Sequence, residues 1–427
     1  MDNVKKQSYL GPFITMVILM SLVGLITNIN QQFQAPMQAA FLKEAIPVKD
    51  MLATFINFSF FLAYLLMGNL SANTIQKHGY RSTLVRGLII LLFAFGIFEI
   101  SALLFDRFPA YIAFGESVRV PHAYFVFVLG SFVAGTALTF LQAAINPYLV
   151  ACDVKGTSAV QRQTIAGAGN STMTTIGPLL VAYVIFGGVS SEQIQISQLY
   201  IPMAVLIAIV GVLTVVLTKL NLPNVAGAAS EDGAEELTES VWSFRHLALG
   251  VVAIFMYVGV EVAVGANINL YALSLKDVDG NALFTVASAA QLAALYWGGM
   301  LVGRLCGSFV SKISAQTQLL VTSVISTILV AATVVTNNPL LLVGVGLFHS
   351  IMWPAIFSLA IAKLGKYTSK GSGALMMGVV GGAILPFTQG IAAGIVGWQI
   401  TWVIVVIGEL YLIYYALIGH KVIKSAE

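Results

Sequence analysis

Residues 11–37 read GPFITMVILMSLVGLITNINQQFQAPM. As far as Ile26 the run carries no charge and little polarity, which suits hydrocarbon. Thr27, Asn28, Asn30, Gln31, Gln32 and Gln34 then place six polar side chains in eight residues, none of them ionisable. A helix needs roughly 20 apolar residues to cross about 30 Å of hydrocarbon. A polar group inside such a helix either bonds a neighbouring helix or lines a water-filled path. The stretch therefore predicts a spanning helix whose amides turn away from lipid.

The rest of the chain is of the same kind. Of its 427 residues 58% are hydrophobic and only 9% charged, against about 25% charged in a soluble domain. This is the composition of a polytopic membrane protein. Ten-residue alternating strands are missing, which argues against a barrel. Cys152 and Cys306 are too few for a disulfide framework or a metal cluster. The formal charge of +3 is too small to suggest a nucleic-acid partner. The apolar run after Lys5 and Lys6 continues past any small-residue cleavage site, so it is expected to stay as a span.

Polar punctuation divides the chain into twelve spans near 10–38, 51–76, 83–105, 122–152, 162–188, 198–220, 245–275, 285–311, 316–336, 339–364, 371–395 and 397–420. With both termini inside, only Lys43, Lys49, Arg107, Arg119 and Lys276 of the 21 Lys and Arg lie outside. That bias predicts cytoplasmic termini. The acidic, small-residue stretch 221–243 reads as a cytoplasmic linker. It separates an N-terminal six-helix bundle (1–220) from a C-terminal one (244–427). The outer loop 106–122 carries aromatics that suit a membrane interface.

The halves echo each other. NIN occurs at 28–30 in span 1 and at 267–269 in span 7. Gln142 lies five residues before Pro147 in span 4, and His349 five before Pro354 in span 10. Gly68-Asn69-Leu70 in span 2 matches Gly303-Arg304-Leu305 in span 8. The joint order implies a duplicated six-helix unit, as in transporters that bind substrate at mid-membrane between repeats.

The polar residues at that depth are the candidate site. Thr27, Gln31, Gln34 and Gln38 share one helical face by spacing. Asn30 flanks it, while Asn28 and Gln32 point elsewhere and read as structural. Gln142, Asn146 and Asn170 face them from the first half. Asn267, Asn269, Trp297, His349, Trp353 and Gln389 are the second-half candidates. Amides present both donors and acceptors and so match sugar hydroxyls, without the cost of burying a charge. An indole can stack on the C–H face of a pyranose. Against this stands helix glue, the commoner role of a lone polar residue in a span. Glu261 falls at mid-depth, where a carboxylate needs a role or a partner. It can bind a proton or sodium or pair with Arg304 or His349. Glu99 and Glu409 read as structural or surface groups. The glycines of spans 5 and 11 read as close-packing positions.

GTALTFLQAAINPYL (135–149), MYVGVEVAVGA (256–266), YWGGMLVGR (296–304), FHSIMWPAIFSLAI (348–361) and TSKGSGALMMGVVGGAILPFTQG (368–390) together resemble the fucose permease and glucose/galactose transporter family of the major facilitator superfamily. The resemblance covers nearly the whole chain. It implies an all-α membrane protein with twelve transmembrane helices in two pseudo-symmetric bundles. It also implies a bacterial inner-membrane importer of a monosaccharide, a hexose or deoxyhexose, driven by a cation gradient. Two positions depart from fucose permeases: Gln31 and Gln142 stand where those carry acids implicated in proton coupling, and Gln142 matches the glucose/galactose branch. The HGYR turn after span 2 is kept, but the usual Asp of that loop is missing.

The expected substrate site is Asn30, Gln31, Gln142, Asn146 and Asn170 opposite Asn267, His349, Trp353 and Gln389. No cofactor is expected, and the protein is expected to be a monomer. Sodium symport with Glu261 supplying charge is the first expectation for coupling. Proton symport through Glu261 is the second and uncoupled facilitation the third. An exporter of another polar metabolite and a non-transporting sugar receptor are the rival readings. A membrane enzyme would need a nucleophile–base pair or metal ligands at one depth, which five scattered histidines do not supply.

Overall fold

The structure is a computed structural model that describes residues 9–114, 118–152, 154–157, 159–220, 222, 240–307, 313–364 and 367–424. The expected linker at 221–243 lies largely outside these residues. The elements in chain order are α1 (Leu10–Gln32), α2 (Gln34–Phe41), α3 (Lys49–Arg107), the strands β1 (Tyr111–Phe114) and β2 (Val118–Pro121), α4 (His122–Ala151), α5 (Ala159–Leu179), α6 (Tyr200–Lys219), α7 (Arg245–Ser274), α8 (Val286–Gly307), α9 (Ala315–Thr336), α10 (Leu340–His349), α11 (Met352–Ala360), α12 (Thr368–Met377), α13 (Gly381–Val396) and α14 (Trp398–Tyr414).

Among the described residues eleven segments are long and apolar enough to span a membrane. The twelfth expected span is α5 with the π-helical turn Leu180–Ile185 that follows it. Its Gly, Ser, Thr and Asn residues lower its hydropathy. Pro178 sits inside α5, and the wide turn follows directly, as expected where a proline removes a helical hydrogen bond.

Spans 2 and 3 form one helical element, α3, interrupted at Gly79 with φ 76° and ψ 175°. That conformation is essentially open only to glycine, so the HGYR turn has a physical reason for its Gly. Span 10 is broken where a single helix was expected. Pro354 cannot donate to Ser350 four residues earlier and crowds its carbonyl. The chain accordingly turns at Ser350 and Ile351 between α10 and α11. The break leaves His349 at the end of α10. The first span also bends, at Phe33 between α1 and α2.

α1, α3, α4, α5 and α6 pack on one another, as do α7 to α14, and the two sets meet along α3–α13, α5–α8 and α1–α7. The antiparallel strands β1 and β2 cap one end, pairing Tyr111 with Pro121 and Phe114 with Val118. We call this the hairpin end. The expected outer loop is thus partly ordered as a strand pair, and every residue of β1 is exposed.

Candidate functional site

The first-half wall is a chain of three polar groups. Nε2 of Gln142 donates to the Tyr64 hydroxyl at 2.7 Å, and Thr27 on α1 lies beside the same tyrosine. Spans 1, 2 and 4 are thereby joined. Gln142 is half-buried, and Asn146, one turn along α4, is exposed. Gln31, Asn30 and Gln34 are buried, and Oε1 of Gln31 and both polar atoms of Asn30 and Gln34 have no protein partner. Both polar atoms of Asn57 on α3 are in the same condition. Buried amides without partners are costly, which suits a region built to meet polar groups from outside the protein.

The expected glutamine face does not run the whole helix. The bend at Phe33 interrupts it, and Nε2 of Gln38 donates to Asp50 Oδ1 at 2.7 Å near the hairpin end. Asn170 is drawn into packing: its Nδ2 donates to the Met20 carbonyl at 3.0 Å.

The second half repeats the pattern with ionisable groups. Nδ1 of His349 lies 2.7 Å from the Tyr296 hydroxyl, which also donates to the Glu261 carbonyl at 3.1 Å. In each half, then, the polar residue five before the proline meets a tyrosine on the second helix, and that tyrosine meets the first helix. Close packing makes this possible. A side chain at Gly346, one turn before His349, would stand 2.1 Å from the Tyr296 carbonyl. The tyrosines were missed in the sequence because an intramembrane Tyr reads as an ordinary core residue, and because they do not align between the repeats: Tyr64 lies four residues before Gly68 and Tyr296 seven before Gly303.

His349 does not pair with Glu261. Its Nε2 lies 2.5 Å from Oε1 of Glu409, with both side chains fully buried. Of the two roles expected for Glu409, structural or surface, this removes the surface one: α14 packs on α7 and brings it into the interior. Glu99 is half-buried on α3. Glu261 instead accepts from the Tyr257 hydroxyl at 2.9 Å, while Arg304 lies within electrostatic reach of it. Nη1 of Arg304 donates to Ser171 Oγ across the α5–α8 seam. Trp353 is half-buried, its ring 6.2 Å from that of Tyr257.

Asn267 and Gln389 are brought together but bond each other. Nδ2 of Asn267 donates to Gln389 Oε1 at 2.9 Å and to the Pro386 carbonyl at 3.1 Å. Its first-half counterpart Asn28 packs against Gly177 on α5, the helix matching the one that bears Gln389. Gln32 does more than pack within its own half. Its Nε2 donates to the Gly265 carbonyl at 3.1 Å, and its Oε1 accepts from Asn269. These bonds join α1 to α7 between the halves. Towards the hairpin end Phe387 of α13 packs on Phe55 and Phe58 of α3, with centroids 5.4 and 4.9 Å apart. That end is closed by apolar and amide contacts.

Two bundles meeting around paired polar walls are the arrangement of alternating-access transporters. The family model described as Major Facilitator Superfamily matches residues 10–386. The chain belongs to this superfamily. Within it, the chain is 31% identical over 427 residues to a protein of Brucella abortus biovar 1 (strain 9-941) named glucose/galactose transporter, covering 98% of this chain and 97% of that one. It is 23% identical over 424 residues to the protein named L-fucose-proton symporter of Escherichia coli (strain K12), covering 93% and 90%. A crystal structure of a variant of the E. coli fucose:proton symporter superposes with a TM-score of 0.65 over 96% of this chain and 98% of that one, at 20% identity. The facilitator fold and the resemblance to the fucose permease and glucose/galactose branch are thus established. The superfamily member described here is a multi-pass membrane transporter and not an enzyme.

Proposed function

We propose that this transporter imports a monosaccharide, a hexose or deoxyhexose, together with a proton across a bacterial inner membrane. The observation that carries the reading is the full-length likeness to a protein named glucose/galactose transporter. The halves 1–220 and 244–427 would rock about a substrate held between Gln31, Gln142 and Asn146 on one side and Trp353 and Glu261 on the other. Asn30 flanks this group. His349, Asn267, Gln389 and Asn170 would support it from behind: each bonds a protein group, while Oδ1 of Asn267 and Nε2 of Gln389 are left without a protein partner. With both termini inside, the hairpin end faces outwards and the state described is closed to the outside.

The sodium expectation gains no support and gives way to the proton. A hard cation takes several oxygens at once. The partner of Glu261 is one hydroxyl, with a guanidinium nearby, and a relative is named for a proton. The test is uptake of radiolabelled D-glucose and D-galactose by proteoliposomes under pH and sodium gradients imposed separately. Accumulation under the pH gradient alone is expected. Uptake indifferent to it would remove proton coupling, and failure of any monosaccharide to be bound or exchanged would remove the sugar.

A further inference from the structure

Glu261, His349 and Glu409 come from three helices far apart in the chain and are cross-braced by two tyrosines. The Tyr257 hydroxyl lies 2.9 Å from Glu261 Oε1 and 3.0 Å from the His349 carbonyl. The Tyr296 hydroxyl lies 2.7 Å from His349 Nδ1 and 3.1 Å from the Glu261 carbonyl. Each tyrosine thus faces one ionisable group and the backbone of the other.

A hydroxyl has one hydrogen to give, and a carbonyl can only accept. When Tyr296 donates to the Glu261 carbonyl, Nδ1 of His349 must carry a hydrogen and donate to the tyrosine oxygen. A further proton is then shared between Nε2 and Glu409, either as imidazolium with carboxylate or as imidazole with carboxylic acid. When Tyr296 turns its hydrogen to Nδ1, that proton has left, and a neutral imidazole faces a carboxylate. Tyr257 responds to Glu261 in a similar way: donation to the His349 carbonyl requires a hydrogen on Glu261 Oε1, whereas donation to Oε1 leaves that oxygen as acceptor, as in the carboxylate. Rotation of two hydroxyls therefore accommodates either proton count with the heavy atoms in place.

A second feature separates this pair from a structural ion pair. Oε2 of Glu409 is buried and has no protein partner. A buried pair kept for stability needs its remaining lone pairs satisfied. The ionisable groups that face the pair are Tyr257 and Glu261 from α7 and Tyr296 from α8, with the charge of Arg304 acting on Glu261. The neighbouring α9, α11 and α13 carry no ionisable side chain. Glu261 and the pair are thus linked through the two tyrosine hydroxyls and the backbone carbonyls that they also face.

We propose that the His349–Glu409 pair is a proton-binding site, linked to Glu261 by the two tyrosine braces, and that it holds the co-transported proton inside the C-terminal half. The proton is taken from water on one side of the membrane and returned to water on the other, with only O–H and N–H bonds made and broken. The inference rests on the proton-coupled reading above. It also moves the coupling site away from Gln31 and Gln142, the positions where the family's acids are missing.

The test is Glu409→Gln in proteoliposomes, comparing exchange of labelled D-glucose or D-galactose, which needs no net proton movement, with accumulation under a pH gradient. A gradient of one pH unit can drive about tenfold accumulation at one proton per sugar. The variant is expected to keep exchange and to lose accumulation. Accumulation equal to that of the wild type would overturn the proposal. If the wild type exchanges sugar but does not accumulate it, the proton-coupled reading fails by itself. Infrared difference spectra between pH steps then decide the pair without sugar. A protonated-carboxyl band lost in Glu409→Gln supports the site, and a spectrum unchanged by the substitution overturns it. Should Glu409→Gln fail to fold, Tyr296→Phe keeps the ring and removes one brace. It is expected to move that band and the pH profile of exchange, and an unmoved band and profile would overturn the proposal.

Discussion

Gln142 shows how one amide can serve both packing and recognition. Its Nε2 is bonded to Tyr64, while its half-exposed position leaves the carbonyl side able to meet a hydroxyl. Gln142→Ala is expected to weaken sugar binding by about 0.5–1.5 kcal/mol, the net worth of one hydrogen bond. That is roughly two- to thirteenfold in affinity, read by binding titration. Its melting midpoint should stay close to that of the wild type, because the site borders open space. Unchanged affinity would make Gln142 helix glue only.

At the scale of elements, two backbone positions set the geometry. Gly79 occupies a conformation that costs other residues of the order of 1–3 kcal/mol, and a side chain there meets nothing within 4 Å. Gly79→Ala should therefore lower the melting midpoint in detergent through backbone strain alone, with exchange in the folded fraction retained. Pro354 separates α10 from α11 and leaves His349 at the break. Pro354→Ala restores a donor to Ser350 and allows the helices to join. Exchange should slow several-fold through displacement of His349 while helical content by circular dichroism holds or rises; an unchanged rate would free the break from any role in transport.

The whole molecule is held closed at the hairpin end by the Gln32 bonds to Gly265 and Asn269 and by the Phe55, Phe58 and Phe387 cluster. A state is populated according to the free energy of such differential contacts. Gln32→Ala removes two hydrogen bonds, roughly 1–3 kcal/mol in all. The ratio of open to closed hairpin ends should rise at least several-fold, measured as spin-label distances between α1 and α7 at that end. Distances identical to those of the wild type would show that the aromatic cluster alone closes it.

The sequence by itself determined that this is a twelve-span, duplicated membrane transporter. Apolar length, the Lys and Arg bias and the repeated NIN and proline motifs are local signals, set by lipid thickness and by the cost of bare polar groups in hydrocarbon. It also singled out Gln142, Glu261 and His349 as polar residues that a span does not carry by chance. Only the tertiary structure decided which partner each one has. Glu409 met His349, Gln32 crossed to Asn269, and Asn267 was spent on Gln389, all between residues 60 or more positions apart. Such pairings depend on how helices are rotated and stacked against each other. Helical rotation follows from small-residue contacts such as Gly346 on Tyr296, which periodicity along a single helix does not encode.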